Sequence, residues 1–498
     1  MWEGIAAGLA TAIDPANLAW VALGCLAGTL IGMLPGLGPI TAIALMIPVS
    51  YSMEPAAGLI MMAGVYYGAV FGGSTSSILI NAPGVASTVA TSFDGYPMAR
   101  AGQAGRALAL AAYASFSGGV LGALALLLFA GVLAAWATAF QSPDYTLVLI
   151  LALSSVAAFA ERGLVAKSCV AALLGLMLGT VGADPESGVP RFTFGRLDLM
   201  DGIAFILVAM ATFALADAFH LLTRGDEGEP RTDAGRHVRL APGDARAIVP
   251  TVGRNSVLGF LVGVLPGAGA TLASFFAYTF EKRFTSNPAC GVAAPESANN
   301  AACMGSFVPL LTLGIPGSGT TAVLLGVMLS LGIQPGPRLL AVDPGAFWGV
   351  IVSMFAGNLV LLALNLPLIP WLSRLIRISR PVLIPFVVAF SLVGVYLTTL
   401  NDFDLYLMLG LAAGALVLRR AGFPLAPLLL GFILSGMLEE NLRRTLYLAD
   451  GSWGTLAERP LTVVLAVACA LVWIAPLWRR LRPGHRADAG SGQAPGES

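Results

Sequence analysis

The chain has 498 residues and no formal net charge, with 27 basic and 27 acidic side chains. Apolar residues make up 57% of it, charged residues only 11%, and the mean hydropathy is +0.83. A soluble domain carries about 25% charged residues, so a water-soluble enzyme is excluded, and the balanced charge gives no indication of a nucleic-acid partner.

Long apolar stretches predict an all-α polytopic membrane protein. Four of them carry almost no charge: Ala16–Leu34, Ala107–Ala135, Gly202–Ala216 and Thr462–Leu477. A transmembrane helix needs about 20 apolar residues, whereas buried strands of a soluble α/β protein would be apolar runs of roughly 4–8 residues. We expect about twelve spans, some of them broken or re-entrant helices, because several Pro-Gly pairs interrupt the apolar sequence.

The first apolar stretch follows a short N-terminal segment, residues 1–15. Its glycines recur every four residues, and it ends in a Pro-Gly turn: Gly28, Gly32, Pro35, Gly36 and Gly38. Glycines at this spacing let two helix backbones approach closely. Proline lacks a donor and glycine tolerates many conformations, so the turn is also a candidate hinge or cavity lining. Both interpretations stay open.

The next apolar stretch is broken by a Pro-Gly pair flanked by amide and hydroxyl groups: Asn81, Pro83, Gly84, Ser87 and Thr88. A loop rich in turn-forming residues is the simpler interpretation. It is weakened because apolar sequence adjoins the break and no charged residue occurs between Glu54 and Asp94. Breaks at membrane depth are tolerated where they line a cavity or pack in protein, and in transporters they bind substrates and ions.

A polar linker with six arginines and five acidic residues divides the chain into two apolar halves. The predicted division is an N-terminal segment (1–15), a first transmembrane repeat (16–222), a cytoplasmic linker (223–254), a second transmembrane repeat (255–478) and a cytoplasmic tail (479–498).

The second half repeats the glycine and proline pattern of the first. The equivalents of the first glycine stretch are displaced by 231 residues: Gly259, Gly263, Pro266, Gly267 and Gly269. The second break lies at a displacement of 233 residues: Gly314, Pro316, Gly317, Ser318, Gly319, Thr320 and Thr321. Two motifs in the same order at nearly the same spacing predict two structural repeats, as in many transporters.

An acidic and amide-rich segment with Glu296, Asn299 and Asn300 precedes the second break. The two amides are candidate ligands for a substrate or an ion. Glu296 has two interpretations, since it could bind a coupling cation or cap the helix that follows. Asp217, beside His220 at the end of a span, is expected at the membrane interface.

Basic residues indicate that the repeats have inverted topology, because short cytoplasmic loops gather Lys and Arg. Lys282 and Arg283 follow the second glycine hairpin, whereas the equivalent place in the first repeat, Ser50–Glu54, has no basic residue. Conversely, Arg100 follows the first break, and Pro335–Asp343 after the second carries one arginine and one aspartate. By the same rule, the linker and the arginine-rich C-terminal tail lie in the cytoplasm.

These stretches resemble the large permease subunit, the TctA family, of the bacterial tripartite tricarboxylate transporters. The matching stretches lie in both halves: Gly28–Gly38, Tyr66–Thr88, Asp94–Arg106, Gly182–Gly195, Gly253–Arg283 and Ala294–Ala322. The resemblance implies a secondary active transporter in the bacterial inner membrane, which carries a small carboxylate together with Na⁺ or H⁺. It also implies two partners, a small membrane subunit and a periplasmic substrate-binding protein.

The sequence departs from that family's pattern at two positions of the first break. A bulkier apolar residue is expected at Ala82, and an acidic or polar residue is common at Val85. No preference for a particular carboxylate is therefore carried over. No pattern indicates a covalent cofactor.

A carrier is the leading hypothesis, since hydroxyl, amide and backbone N–H groups around two breaks could replace the water around a carboxylate. The alternatives are an ion or solute channel and an intramembrane enzyme. An enzyme would need a nucleophile–base pair or clustered histidines and carboxylates, and the three histidines are scattered. No arginine lies within either break, so helix ends and bound ions are expected to provide much of the compensation for the substrate's charge.

Overall fold

The computed structural model describes residues 2–34, 37–81, 83–137, 139–158, 164–223, 238–265, 269–336, 338–372, 380–449 and 459–481. Within these ranges the chain is almost entirely helical, with one short antiparallel pair of strands. Six of the described helical stretches are long and apolar enough to cross a bilayer. The prediction of an all-α membrane protein is confirmed, while the figure of about twelve spans and the inverted topology stay predictions.

The described elements of the first half are α1 (Trp2–Ile13), α2 (Pro15–Gly32), α3 (Pro39–Ser50), α4 (Pro55–Ile80), α5 (Val89–Met98), α6 (Ala104–Ala137), α7 (Ser142–Ala158), α8 (Val165–Gly179), β1 (Gly182–Ala183), β2 (Pro190–Arg191), α9 (Phe205–Ala209) and α10 (Ala216–Thr223). A 3-10 turn, Ala86–Thr88, precedes α5, and a π-helical stretch, Met210–Leu215, joins α9 to α10.

The described elements of the second half are α11 (Asp244–Val264), α12 (Gly269–Glu281), α13 (Pro288–Gly305), α14 (Phe307–Leu313), α15 (Gly319–Ser330), α16 (Leu339–Val342), α17 (Pro344–Asn365), α18 (Ile369–Leu372), α19 (Arg380–Thr399), α20 (Asp402–Arg420), α21 (Leu425–Ala449) and α22 (Pro460–Leu481). The linker predicted over 223–254 falls partly on residues outside the described ranges, as does most of the predicted tail.

Glycines let α2 and α4 pack backbone against backbone. A Cβ atom added at Gly28 would collide with the carbonyl oxygen of Val65, and Gly32 makes the equivalent contact one turn later. α4 returns the contact through Gly72, where an added Cβ would collide with the carbonyl oxygen of Thr29. A carbonyl oxygen cannot move aside as the end of a side chain can. The glycine spacing in the sequence therefore corresponds to close helix packing.

The same contacts recur between α11 and α13. Gly259 lies against the carbonyl group of Ala298, Gly263 makes the same contact one turn later, and Gly305 lies against that of Phe260. Each of these contacts has an equivalent between α2 and α4. The α11 residue is 231 positions after its α2 counterpart, and the α13 residue is 233 positions after its α4 counterpart. The two helix pairs thus share one packing pattern.

Each half contains a helical hairpin, α2–α3 in the first and α11–α12 in the second. α3 packs on α4 and α12 packs on α13, so each hairpin lies on the helix that follows it. The predicted tip residues lie outside the described ranges: Pro35, Gly36, Pro266 and Gly267. Gly269, just after the second tip, has a φ of 59°, a left-handed conformation that favours glycine.

The two halves interlock through α6 and α17. α6 packs along α13, where a Cβ added at Gly118 would collide with the backbone of Ser297. α17 packs on α4, where Gly357 lies against the ring of Tyr67. A further group of helices, α7, α8, α21 and α22, packs beside this core.

Charged residues tie the β1–β2 connection to α21. Arg443 contacts the Asp184 carboxylate at 2.5 Å, and Arg191 contacts that of Glu439 at 2.7 Å. The backbone N–H of Ser187 donates to Asp184 at 2.9 Å. This N–H donor, together with Arg443, holds the pKa of Asp184 well below its usual range. The connection is thus held to the helices by ionised side chains.

We expect Gly28→Ala to destabilise the protein by roughly 1–3 kcal/mol, because the added methyl group is forced against a backbone carbonyl. Gly414→Ala on α20 is the matched control, since nothing lies within 4 Å of a Cβ added there. The measurement is the melting temperature of each purified variant in detergent. A Gly28→Ala variant with the melting temperature of the wild type would contradict the backbone contact.

Candidate functional site

The two breaks and the two hairpins meet at a cavity of about 770 Å³. Its lining consists of the following described residues: Gly38–Thr41, Gly84–Ser87, Gly269–Leu272, Ser318–Thr320 and Phe423–Ala426, with Tyr66, Val70, Phe213, Asp217, Phe275 and Arg419. Small-molecule sites in proteins have volumes of roughly 300–1,000 Å³. The cavity is therefore large enough for a small organic ligand.

Four of the lining segments come from equivalent positions in the two halves. Gly38–Thr41 and Gly269–Leu272 each follow a hairpin tip and are related by the 231-residue displacement. Val85–Ser87 and Ser318–Thr320 each follow a Pro-Gly pair and are related by the 233-residue displacement. The cavity thus lies where the two halves meet at corresponding points.

The first break begins at Asn81, the residue that follows α4, whose φ of 51° is left-handed. The chain then brings Gly84 against the first hairpin, where an added Cβ would collide with the carbonyl oxygen of Gly32. The Gly84 N–H donates to Oγ of Ser76 at 3.0 Å, which satisfies a backbone group that the break leaves outside a helix. Glycine is required here by this contact.

The second break is built in the same way. Gly314, the residue that follows α14, has a φ of 69°. A Cβ added at Gly317 would lie 3.2 Å from the carbonyl oxygen of Gly263. α15 then begins with a capping box, in which the Ser318 N–H donates to Oγ1 of Thr321 at 2.8 Å. The N-terminus of α15, the positive end of its dipole, therefore lies at the cavity.

Five of the predicted break residues line the cavity: Gly84, Ser87, Ser318, Gly319 and Thr320. Two predicted hairpin residues, Gly38 and Gly269, line it as well. The other predicted binding residues are not among its lining: Asn81, Pro83, Thr88, Asn299, Asn300, Gly314, Pro316, Gly317 and Thr321.

The hydroxyl groups around the breaks differ in what they bind. The Ser87 hydroxyl is buried and has no hydrogen-bond partner among the described residues, so it is available to a ligand. Thr88, the next residue, donates to the carbonyl oxygen of Val85 at 2.9 Å. Thr321 is held in the capping box of α15. Ser87 is therefore a candidate ligand donor, whereas Thr88 and Thr321 are engaged with the local backbone.

An ion pair at the cavity was missed in the sequence. Asp217 on α10 is 7% exposed, lines the cavity and pairs with Arg419 on α20. Oγ1 of Thr41 donates to the same carboxylate at 2.8 Å. Asp217 is thus buried against a cationic partner, and its expected position at the membrane interface stays a prediction. The cavity lining thus includes a basic side chain, Arg419, although no arginine lies within either break.

Glu296 lies in the middle of α13 and is fully buried, so the interpretation as a helix cap is wrong. Its carboxylate accepts hydrogen bonds from Ser74 at 2.8 Å, Ser115 at 2.7 Å and Thr91 at 2.5 Å. These hydroxyls lie on α4, α6 and α5 of the first half. Ser74 and Ser115 also line a small cavity of about 10 Å³. One acidic group of the second half is thus held by three donors of the first.

Asn299 and Asn300 follow Glu296 by one turn of α13. Both are buried, and neither the amide group of Asn299 nor Oδ1 of Asn300 has a hydrogen-bond partner among the described residues. They form a second polar region beside Glu296. No group of three or more His, Cys, Asp and Glu side chains that could hold a metal ion is found in the described part of the chain.

Comparison with known families gives a match. The sequence model of the tripartite tricarboxylate transporter TctA family matches residues 18–430. The chain belongs to the TctA family. The resemblance inferred from the glycine stretches and the two breaks is thereby confirmed, and the match covers both breaks, both hairpins and the ion pair at the cavity.

Two similar proteins come from Agrobacterium vitis. An "uncharacterized 52.8 kDa protein in TAR-I ttuC' 3'region" is 42% identical over 483 residues, which cover 95% of this TctA-family chain and 96% of the relative. An "uncharacterized protein in TAR-II ttuC' 3'region" is 42% identical over 234 residues, or 45% of this chain and 97% of the relative. No solved structure matches the chain.

For this TctA-family protein, Ser87→Ala and Thr321→Val should separate binding from stability. Loss of a hydrogen bond to the ligand should weaken apparent affinity roughly 3- to 30-fold in Ser87→Ala with little change in melting temperature. Loss of the cap should destabilise Thr321→Val by roughly 0.5–2 kcal/mol. Substrate affinity and melting temperature are measured for both variants. Equal affinity of Ser87→Ala and wild type would remove Ser87 from the site.

Proposed function

We propose that this protein is the large membrane subunit of a tripartite carboxylate uptake system and acts as a secondary active transporter. The observation that carries the proposal is the convergence of two broken helices and two hairpins on one cavity of about 770 Å³. The N-terminus of α15 and the hydroxyls of Ser87 and Thr320 supply donors for an anion. A carboxylate that leaves water needs such donors in place of its hydration shell.

A carrier fits this geometry better than a channel or an intramembrane enzyme. Four lining segments come from equivalent points of two repeated halves, an arrangement that lets a central site open alternately to either side. Among the described lining residues Asp217 is the carboxylate, and its pairing with Arg419 and Thr41 leaves it poorly suited to act as a catalytic base.

The two repeats, 16–222 and 255–478, have inverted topology in this proposal, with the linker and the C-terminus in the cytoplasm. Two ion pairs support it. Lys282, after the second hairpin, contacts Asp94 on α5 at 2.6 Å, and Arg106 contacts Asp244, the first residue of α11 in the second part of the predicted linker, at 2.6 Å. These basic residues therefore share one face of the protein, as the positive-inside rule requires of cytoplasmic loops.

Glu296 is the proposed coupling group for H⁺ or Na⁺. A buried carboxylate that receives three hydroxyl donors can hold its charge, and it can gain a proton or a cation without leaving its place. Its position between the halves suits coupling, because a change of charge there alters bonds to three helices of the opposite half. The amide oxygens of Asn299 and Asn300, which have no hydrogen-bond partner among the described residues, lie one turn away and offer further oxygen ligands.

The partners are a small membrane subunit and a periplasmic protein that delivers the carboxylate, in the bacterial inner membrane. Family membership supports both partners. Dilute substrate would be captured by the periplasmic protein, so uptake at micromolar substrate should depend on it.

The transport proposal is tested in proteoliposomes that contain the assembled membrane subunits, with the periplasmic protein outside. Unlabelled citrate inside the vesicles should accelerate entry of labelled citrate. Glu296→Gln, which keeps the size of the side chain, should retain this exchange but lose accumulation driven by an H⁺ or Na⁺ gradient. Glu440→Gln is the control, because its exposed pair with Arg444 should contribute little.

Exchange without acceleration across a panel of di- and tricarboxylates would favour a channel, and chemical change of the substrate would favour an enzyme. Gradient-driven accumulation by Glu296→Gln at the wild-type level would remove Glu296 from coupling while leaving the carrier intact.

Inverted topology predicts that Ser52 and Ser286, the exposed turns after the two hairpins, lie on opposite sides of the membrane. Single cysteines are placed at these positions in a variant without its native cysteines, and a membrane-impermeant maleimide is applied to intact cells. Ser52→Cys should react, and Ser286→Cys should react only after permeabilisation. Labelling of both from the same side would rule out the inverted arrangement.

A further inference from the structure

One ion pair supplies all the charge among the described residues that line the cavity. Asp217 is the acidic residue and Arg419 the basic one. They come from α10 and α20, outside the four lining segments that repeat between the halves. The repeated segments therefore contribute neutral donors, and both charged side chains of the described lining come from α10 and α20.

Asp217 and Arg419 differ in how much of their hydrogen-bonding capacity is already used. Asp217 is nearly saturated, with one oxygen on Arg419 and the other accepting from Thr41 at 2.8 Å, and its side chain is 10% exposed. The Arg419 side chain is 31% exposed, and Asp217 is its hydrogen-bonding or ionic partner among the described residues. A guanidinium group has five N–H donors in a planar fork. Arg419 thus keeps donors for a second carboxylate.

We propose that Arg419 is the residue that recognises a carboxylate group of the substrate, and that Asp217 occupies its place when the cavity is empty. This inference rests on the proposed function and names the cationic anchor of that site. An arginine fork binds a carboxylate through two parallel N–H···O bonds. When the substrate arrives, its carboxylate displaces Asp217 from Arg419, and Asp217 remains held by Thr41.

The pair has a consequence for which anions bind. With Arg419 bound to one substrate carboxylate, further carboxylates of the substrate find no second basic side chain among the described lining residues. The same lining also offers neutral donors, at the start of α15 and at Ser87. A substrate with one carboxylate on Arg419 and its remaining polar groups on these donors fits this arrangement.

Four variants test the anchor by direct binding of labelled citrate to the purified membrane complex and by citrate counterflow. Arg419→Gln should weaken binding roughly 10- to 100-fold, the loss expected for a hydrogen bond to a charged group. Arg420→Gln, the exposed neighbour on the same helix, should bind as wild type does. Asp217→Asn should bind citrate more tightly, because it removes the internal competitor for Arg419.

The double variant Arg419→Gln/Asp217→Asn leaves neither charge unpaired, so it guards against loss of folding in the single variant. It should melt near wild type and still bind citrate as weakly as Arg419→Gln. Wild-type affinity in Arg419→Gln or in the double variant would overturn the inference while leaving carboxylate transport intact. Weaker binding in Asp217→Asn would also overturn it, since the ion pair would then stabilise the site instead of competing with the substrate. Absence of binding and exchange in wild type across the panel of di- and tricarboxylates would overturn both proposals.

Discussion

Contacts between backbones at glycine position the site. Gly84 of the first break lies against the carbonyl group of Gly32, and Gly317 of the second lies against that of Gly263. Each break is therefore held by the hairpin of its own half. In a lipid environment the hydrophobic effect does not drive one helix onto another, so close van der Waals packing takes its place. With larger residues at these points, the broken helix ends would stand away from the cavity.

Constraints on the backbone were readable from the sequence because they are local. The spacing of Gly28 and Gly32 predicted close packing, and the Pro-Gly pairs predicted the breaks. The direction of a hydroxyl was not readable: Ser87 and Thr88 are neighbours, yet one lines the cavity and the other binds its own backbone. Nor could the pairing of Asp217 with Arg419 be predicted, since 202 residues separate them and no local pattern marks either residue.

The two halves share packing but differ in polar groups. By the 233-residue displacement, Tyr66 and Tyr67 are the sequence equivalents of Asn299 and Asn300, and Ala63 is the equivalent of Glu296. In the first half these positions are large or apolar, and in the second they carry an acid and two amides. The common glycines preserve a shared scaffold, whereas the divergent positions confine the buried carboxylate to one half. A site built from repeated parts is thereby made chemically asymmetric.

The paired charges on the cavity wall also bear on the membrane potential. A potential of 100 mV does work of about 2.3 kcal/mol on each elementary charge that crosses the whole membrane. Asp217 and Arg419 contribute opposite charges at nearly the same point, so the field exerts almost no net force on the wall that they form. Voltage would then act on the anion and on the cations that accompany it, and their number would set the electrical work of each cycle.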